Sequence, residues 1–339
     1  MSRMEAELRE APEAVGRQAE GLAAPLAELL ARLARQPPRL VVTCARGSSA
    51  HAATFAKHLV ERRLGLPVAA AAPSIASLYR RRLRLEGQLL LAISQSGGSD
   101  DLIETAKMAR KAGALVAALV NVTDSPLAAA CDIVLPIGAG PEESVAATKS
   151  FVASLCALLR WVARWTKDGE MERALDRLPE RLAAASALDW GEACGALAGA
   201  TSVLVLGRGP TLPIAREAAL KLKEVCRLHA EAFSAAEFRH GPMALAGPGY
   251  PVLLLMPTDA AAAGLSHLAA DLGEMGAAVF AAQPGAPRPG RLPVLAPQHP
   301  EADAICLAQS FYATAARLAR LRGTEIDRPR HLEKVTRTR

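Results

Sequence analysis

The stretch GQLLLAISQSGGSDDLIETAKMARKAGALVAALVNV, residues 87–122, decides the fold of this chain. It runs from a continuous apolar segment through a turn of glycines and serines into an amphipathic segment, and then into a second apolar segment. This order predicts a buried strand, a helix and a further strand, which together form a unit of a parallel sheet. Residues 39–68, RLVVTCARGSSAHAATFAKHLVERRLGLPV, follow the same pattern. The chain is therefore predicted to be an α/β protein.

The pattern returns in the second half of the chain. A new round begins with ATSVLVLGRGPTLPIAREAALKLKEV, residues 200–225. Arg46 and Arg208, each followed by glycine, are 162 positions apart, and Ser94 and Pro257, each near the end of an apolar run, are 163 apart. The near agreement of the two offsets predicts a tandem duplication. Two unrelated α/β domains that share the same rhythm are the alternative.

The chain of 339 residues is too long for one ordinary domain of about 150 residues. Residues 1–36 carry leucines at three- and four-residue spacing and are predicted to be helical, up to the QPP sequence that ends the helix. The predicted domains are residues 37–175 and 176–322, followed by a tail, 323–339. The stretch 159–190 is predicted to form amphipathic helices that close the first domain and lead into the second.

The charge and aromatic content of the chain limit the kinds of molecule that it is expected to bind. The net charge of +6 favours anions without specifying which, and the aromatic content is only 4%. The basic residues are not interleaved with aromatic ones, so nucleic acid is poorly supported and a phosphorylated metabolite is the more economical partner. The sequence shows neither a secretory signal nor an apolar run of about 18 residues, which predicts a cytoplasmic protein that does not bind a membrane.

The cysteines argue against zinc and redox chemistry. None of them has C-x-x-C spacing, and they lie singly, mostly among apolar neighbours. Buried, reduced thiols are typical of the cytosol. The six positions are Cys44, Cys131, Cys156, Cys194, Cys226 and Cys306.

Two serine-containing turns are predicted to lie at the same edge of the first sheet. They are ARGSSAH, residues 45–51, and SQSGGSD, residues 94–100. Ligands of open α/β sheets bind at the carboxyl ends of the strands, where helix N-termini favour anions and hydroxyls add donors. The alternative is that Ser99 is only a helix cap and that the glycines only make a tight turn. Neither turn has a Walker A lysine or a dinucleotide-binding G-x-G-x-x-G pattern.

Candidate acid and base groups lie in the second half. Glu217, Lys221 and Glu224 share one face of a predicted helix, and a salt-bridged solvent face is the alternative interpretation. His240 precedes a Gly-Pro turn, which indicates a loop position, where functional residues concentrate. A histidine and a glutamate near a phosphate site suit proton transfer at neutral pH. Lys334 lies in a basic tail for which a plain disordered end is the alternative.

The whole chain resembles the isomerase half of glucosamine-6-phosphate synthase, a pair of sugar isomerase (SIS) domains. The resemblance implies two tandem flavodoxin-like domains, each a parallel sheet flanked by helices, and a homodimer that binds a small phosphosugar. It rests on five blocks in the same order: SQSGGSDD, AGPEESVAATKSF, LGRGPTLPIAREAALKLKE, HAEAFSAAEFRHGP and IDRPRHLEKVT.

The resemblance also implies roles for particular residues. Glu224 is expected to move a proton between C1 and C2, His240 to open the sugar ring from the neighbouring subunit, and Lys334, on a lid-like tail, to engage the open-chain carbonyl. Ala147 departs from the family pattern, because a serine that contacts the sugar is common there. The remaining substrate-binding positions are Ser94, Gln95, Ser96 and Ser99 for the phosphate, Ser48 and Ser49 near the sugar, and Glu217 and Lys221 in the cavity.

The resemblance begins at the isomerase half, without a glutaminase domain, and this favours the reverse chemistry. The expected activity is that of a glucosamine-6-phosphate deaminase, which isomerises the amino sugar and releases ammonia to give fructose 6-phosphate without a metal or organic cofactor. The alternatives are a fructosamine-6-phosphate deglycase, a phosphosugar aldose–ketose isomerase and ammonia-dependent formation of glucosamine 6-phosphate. A non-catalytic phosphosugar sensor is the alternative from another class.

Overall fold

The computed structural model describes residues 1–334, which form two compact units. Each unit contains one parallel sheet, and we name the units after these sheets. The first-sheet unit comprises Glu13–Glu142, Lys149–Glu172 and, of the described tail, Glu333 and Lys334. The second-sheet unit comprises Met1–Pro12, Glu143–Thr148 and Arg173–Leu332.

The first sheet has five parallel strands in the spatial order β2-β1-β3-β4-β5. The central strand β3 is buried along its whole length, which explains its continuous apolar sequence. The strands are β1 (Val41–Ala45), β2 (Val68–Ala70), β3 (Leu89–Ser94), β4 (Leu115–Val120) and β5 (Ile133–Pro136).

Helices cover this sheet in two groups. The helices in this part of the chain are α1 (Arg3–Arg35), α2 (Gly47–Leu64), α3 (Ser74–Ser77), α4 (Asp100–Lys111), α5 (Pro126–Ala129), α6 (Lys149–Thr166) and α7 (Gly169–Asp176). Helix α2 packs with α6, whereas α4 packs with α3 and α5. The buried side chain of Gln18 on α1 donates to the carbonyls of Ile137 and Ala153, so α1 is fixed to this unit by hydrogen bonds as well as by its leucines.

The second sheet also has five parallel strands, in the order β7-β6-β8-β9-β10. Its strands are β6 (Ser202–Gly207), β7 (His229–Ser234), β8 (Pro251–Leu255), β9 (Ala278–Ala282) and β10 (Arg291–Leu292). Its helices are α8 (Leu178–Ser186), α9 (Gly191–Ala198), α10 (Leu212–Cys226), α11 (Ala235–Phe238), α12 (Ala262–Glu274) and α13 (Pro300–Leu321). Helix α13 packs against α8, α9 and α10.

The predicted fold class is confirmed, because both sheets have the flavodoxin-like strand order 2-1-3-4-5. The amino-terminal helix ends at Arg35, directly before Gln36 and the two prolines. The predicted connecting helices are present as α6, α7 and α8. Within residues 1–334, none of the helices combines the length and apolar character that a membrane crossing requires.

Candidate functional site

The two serine turns lie at neighbouring strand ends in the first-sheet unit. Strand β1 pairs with β3, and the chain leaves β1 toward α2 and leaves β3 toward α4. Because β2 lies on the other side of β1, the strand order reverses between β1 and β3. Such a switch point leaves a crevice at the carboxyl ends of the strands, where ligands of open α/β sheets bind.

The turn after β3 is shaped by its own hydroxyls and by one glycine. The Gly97 N–H donates to Ser94 Oγ at 3.0 Å, and the Gly98 N–H donates to Ser96 Oγ at 3.3 Å. Gly97 has a φ of +62°, and a Cβ on it would lie 2.0 Å from Ser125 Oγ. The position therefore excludes any side chain, on both conformational and steric grounds.

Ser99 is placed at the start of α4 without acting as a side-chain cap. It occupies the N-cap position, yet its hydroxyl makes no capping hydrogen bond. Asp101, in the first turn, is buried and pairs with Arg46, whose Nη2 lies 2.7 Å from Asp101 Oδ2. The alternative that Ser99 serves only as a cap therefore lacks its defining contact. The Ser99 hydroxyl is half-buried and makes no helix-capping bond, so it is suited to donate to an anion at the start of α4.

Ser48 and Ser49 lie in the first turn of α2, directly after the positive-φ Gly47. Both are half-buried. Arg46 precedes Gly47, and its ion pair with Asp101 on α4 ties the two turns together. The structure thus brings the predicted phosphate and sugar residues of the first half to two adjacent strand ends of one unit, and half-buried Gln95 lies in the second of these turns.

Helix α10 of the second-sheet unit holds three of the predicted acid and base residues, namely Glu217, Lys221 and Glu224. Its apolar stripe is buried as expected and comprises Ile214, Ala218, Leu222 and Val225. Glu217 and Lys221 are also buried, each with 1% relative exposure, whereas the Glu224 side chain is 21% exposed. A solvent-facing salt bridge is thus the wrong interpretation of this face. Two fully buried charges require partners, and they have them.

The three charged groups form one connected network. Lys221 Nζ makes a short contact with Glu224 Oε2 and lies 3.5 Å from Glu217 Oε1. Tyr312 on α13 donates its hydroxyl to the same Glu217 oxygen at 2.9 Å. Tyr312 was missed by sequence reasoning, because it is 95 positions from Glu217 and no local pattern marks it. The network leaves one carboxylate, Glu224, at the edge of the buried region.

The carboxyl-terminal end of α10 is held in place just after Glu224. Arg322 donates from Nε to the Cys226 carbonyl at 2.8 Å, and its Nη1 donates to three carbonyls at the end of α9, those of Leu197, Ala198 and Ala200. A guanidinium is a favourable partner for these helix ends, since their carbonyls carry the negative end of the helix dipole. Thr324 adds a further bond, to the Val225 carbonyl.

His240 lies on an exposed turn of the second-sheet unit, after α11. Its backbone N–H donates to the Glu237 carbonyl at 2.9 Å, and Gly241, with a φ of +131°, follows it. Among the described residues, the imidazole makes no hydrogen bond or ion pair. The loop position predicted from the Gly-Pro sequence is confirmed.

The tail lysine has a carboxylate partner in the first-sheet unit. Lys334 Nζ lies 3.1 Å from Glu142 Oε2. Glu142 is buried and also accepts hydrogen bonds from Ser150, from its N–H at 3.0 Å and its Oγ at 2.6 Å. Sequence reasoning assigned no role to Glu142, although it lies in one of the family blocks. Residues 335–339 of the predicted lid lie outside the described part of the chain.

Ala147, the departure from the family pattern, is half-buried in the segment Glu143–Thr148 of the second-sheet unit. The segment is anchored within its own unit. The Ser144 N–H donates to Glu7 Oε1 at 3.1 Å, and the Val145 N–H donates to the Asp327 carbonyl at 3.2 Å. A methyl group at position 147 offers no side-chain hydrogen bond.

The cysteines are free thiols, and all but Cys131 are fully buried. Burial raises the pKa of Cys44, Cys131 and Cys226 to about 12 in each case. A thiol with so high a pKa holds almost no thiolate at neutral pH and is a poor nucleophile. The chemistry of the site therefore falls to its oxygen and nitrogen groups.

The chain belongs to the SIS domain family, which matches residues 35–163 and 196–279. A glutamine–fructose-6-phosphate aminotransferase (isomerizing) from Zymomonas mobilis is 34% identical over 313 residues, which are 87% of this chain and 51% of that protein. The chain thus spans about half the length of the curated relatives that it matches.

Solved structures agree with the fold. A candidate phosphosugar isomerase from Silicibacter pomeroyi has 44% identity and a TM-score of 0.92, and the match covers 96% of this chain and all of that one. Glucosamine-6-phosphate deaminase from Thermotoga maritima has 21% identity and a TM-score of 0.78, over 99% of this chain and 100% of that one. At that identity, the second match shows the shared fold alone.

Proposed function

We propose that this chain is a glucosamine-6-phosphate deaminase, which isomerises the amino aldose and releases ammonia to give fructose 6-phosphate. The observation that carries the proposal is the network on α10. The buried Lys221 ammonium pairs with Glu217 and with Glu224, and the Glu224 carboxylate lies at the edge of the buried region. Fructose 6-phosphate appears in the names of the curated relatives, which supports this sugar phosphate as one end of the reaction.

The phosphate is assigned to the turn after β3. The hydroxyls of Ser94, Ser96 and Ser99 and the first turn of α4 offer donors and a positive dipole end to a dianion. Gln95 belongs to the same turn, and Ser48 and Ser49 are assigned to the sugar. Lys221 and Glu217 are assigned to the cavity lining, behind Glu224.

Proton transfer is assigned to Glu224 and ring opening to His240. Glu224 takes the proton from C2 of the open-chain aldose while O1 gains a proton, which gives an enolamine. The proton on Glu224 is then returned to C1 while the amino group loses one proton, which gives a 2-imino ketose. Water adds to C2 and the C–N bond breaks, so glucosamine 6-phosphate and water yield fructose 6-phosphate and ammonia. A partly exposed carboxylate on a fixed helix suits this shuttle. His240, exposed and on a turn, is proposed to act from a second copy of the chain in a homodimer.

The tail lysine is assigned to the open-chain carbonyl. Lys334 would exchange its contact with Glu142 for a hydrogen bond to the substrate oxygen. The partner carboxylate keeps the ammonium close to one position before the ligand arrives. Such preorganisation lowers the entropic cost of binding.

A phosphosugar aldose–ketose isomerase is the second candidate, and the 44% identity with the Silicibacter pomeroyi protein favours it. The same carboxylate would move the same proton, with a hydroxyl in place of the amine at C2. The two activities differ in one product, because only the deaminase releases ammonia. A fructosamine-6-phosphate deglycase would also release an amine, but from a substrate substituted at C1.

The test is an ammonia assay on the full chain. Purified protein is incubated with glucosamine 6-phosphate, and in parallel with hexose 6-phosphates, fructosamine 6-phosphates, and fructose 6-phosphate plus ammonium. We expect ammonia from glucosamine 6-phosphate. Folded protein that releases none overturns the deaminase, and interconversion of hexose phosphates without ammonia establishes the second candidate.

Glu224→Gln tests the proton transfer. We expect kcat to fall by about 100- to 10,000-fold, as for loss of a general base, with binding of the sugar phosphate retained. Glu274→Gln, an exposed position at the end of α12, is the matched control and should leave kcat unchanged. Glu224→Gln with wild-type turnover removes Glu224 as the base. Binding without turnover in both the wild type and Glu224→Gln identifies a sensor.

A further inference from the structure

We propose that Tyr312 is a positioning residue for Glu224 and that it acts through Glu217 and Lys221. The proposal rests on the proposed function for its kinetic consequence, but its structural content is independent of any substrate. Tyr312 lies on α13, in a different element from the three charged residues of α10.

The contacts run in one direction from the core to the edge of the buried region. Tyr312 is fully buried and donates to Glu217 Oε1 at 2.9 Å. The same oxygen lies 3.5 Å from Lys221 Nζ, which makes its short contact with Glu224. Exposure rises along the chain of contacts, from 1% for the Glu217 and Lys221 side chains to 21% for Glu224.

The arrangement places one ammonium between two carboxylates that compete for it. Both pair with it from the same helix, yet Lys221 Nζ lies closer to Glu224 than to Glu217, from which it is 3.5 Å away. A hydroxyl that donates to a carboxylate takes up part of its negative charge, and such bonds are strong where the dielectric is low. Tyr312 therefore weakens the attraction of Glu217 for Lys221, and the ammonium settles on Glu224.

The contact between Lys221 and Glu224 matters for catalysis because it holds the carboxylate of the proposed base in position. A glutamate side chain has three rotatable bonds, and a partly exposed one is free to leave its reactive orientation. The bond from Lys221 holds the Glu224 carboxylate in one place. Without the Tyr312 hydroxyl, Lys221 should move toward Glu217 and release Glu224.

A purely structural role is the competing explanation, since Tyr312 also fills space beside Phe311 in the core. Tyr312→Phe keeps the ring and removes only the hydroxyl. Ser310→Ala is the matched control on the same helix. Ser310 is equally buried, and its hydroxyl donates to the Ala185 carbonyl at 2.8 Å, on the α8 side. Both variants lose one buried hydroxyl, but only one of them acts on Glu217.

The first measurement is steady-state kinetics together with urea unfolding. We expect both variants to shift the urea midpoint by a similar small amount. Tyr312→Phe should lower kcat by about tenfold, as expected for loss of one hydrogen bond to a charged group, and should leave KM within about twofold. Ser310→Ala should leave both constants within about twofold of wild type. An unchanged kcat in Tyr312→Phe, or an equal fall in both variants, overturns the proposal.

The second measurement is the crystal structure of Tyr312→Phe without ligand. We expect Lys221 Nζ to be closer to Glu217 than to Glu224, the reverse of the wild-type arrangement. If Lys221 stays on Glu224, the proposal fails whatever the enzyme does. If Lys221 moves and the wild type releases no ammonia, the deaminase assignment fails and the positioning by Tyr312 is supported.

Discussion

The carboxyl ends of the two sheets have the same strand order but opposite character. After β3, the turn presents serine hydroxyls, two glycines and the start of α4, and the charged group behind it, Asp101, is paired with the half-exposed Arg46. After β8, the equivalent region is closed by hydrogen bonds within the protein. Topology thus determines where a ligand site can form, and the turn residues determine whether one does.

Two sets of contacts close the second sheet. Thr211 Oγ1 donates to the Leu255 carbonyl at 2.7 Å and accepts from the Arg208 N–H at 3.1 Å. Asp303 on α13 accepts from Thr258 Oγ1 at 2.7 Å and from Arg181 Nη2 at 2.6 Å. Next to this buried pair lies a cavity of about 20 Å³, which has room for a water molecule but not for a sugar phosphate.

The difference teaches that two sheets with the same strand order can use their strand ends in different ways. In the first-sheet unit, the turn after β3 is the proposed anion site. In the second-sheet unit, the polar groups at the strand ends bond to one another, and the proposed base, Glu224, lies instead on α10, two residues before Cys226, the last residue of the helix.

The largest effect expected from this comparison is on stability. Asp303→Ala removes the carboxylate and leaves Arg181 buried without its main partner, since the side chains are only 9% and 10% exposed. We expect the free energy of unfolding to fall by about 3–5 kcal/mol, measured by urea denaturation. Asp271→Ala, which breaks the half-exposed pair with Arg239, is the control and should cost less than about 1 kcal/mol. Equal losses in both variants would contradict the assignment of Asp303 as the closing group.

A smaller effect is expected at the glycine of the first turn. Gly97→Ala combines a positive φ with a clash against Ser125, and we expect a loss of about 3 kcal/mol in unfolding free energy together with loss of phosphate binding. Gly47→Ala also has a positive φ, but no atom lies within 4 Å of its added Cβ. It should cost only about 1–2 kcal/mol. The comparison would weaken if Gly97→Ala still bound a hexose 6-phosphate as tightly as Gly47→Ala.

The smallest effect sharpens the contrast between the open and the closed turn. Ser96→Ala and Ser99→Ala should each weaken binding of a hexose 6-phosphate about tenfold in calorimetry, because each removes one donor to a charged ligand. Thr211→Val removes a hydroxyl from the closed turn and should lower stability by about 1 kcal/mol without changing the affinity. A drop in affinity in Thr211→Val would place phosphate binding at the second sheet.

The fold could be predicted because each of its elements has a local signature. The unbroken apolar run of β3, the glycine turns and the stripe from Ile214 to Val225 each follow from neighbouring residues, and the structure confirms them. The same local signature left one point open, which is whether the charged face of α10 is buried or exposed. Charged residues at helical spacing indicate an exposed face, and burial of Glu217 and Lys221 became evident only from the packing of α13.

The contacts that sequence reasoning missed are all long-range. Tyr312 meets Glu217 across 95 positions, and Lys334 meets Glu142 across 192. Asp303 meets Arg181 across 122 positions. Such pairs depend on how helices and strands pack against one another. A single sequence contains no periodic pattern that predicts them. Tyr312 is one of only three tyrosines in a chain that is poor in aromatic residues, and this rarity is the one sequence signal that could have pointed to it.

Arg322 has a consequence for how the second-sheet unit can move. One guanidinium bonds the last carbonyls of α9 and α10, and it lies at the end of α13, so a slide of any of these helices would break several bonds at once. We therefore expect the three helices to behave as a single rigid block. If the proposed substrate binds, we expect the local adjustment to come from rotation about the χ torsions of Glu224 and its neighbours, and structures with and without ligand should superimpose closely over this block.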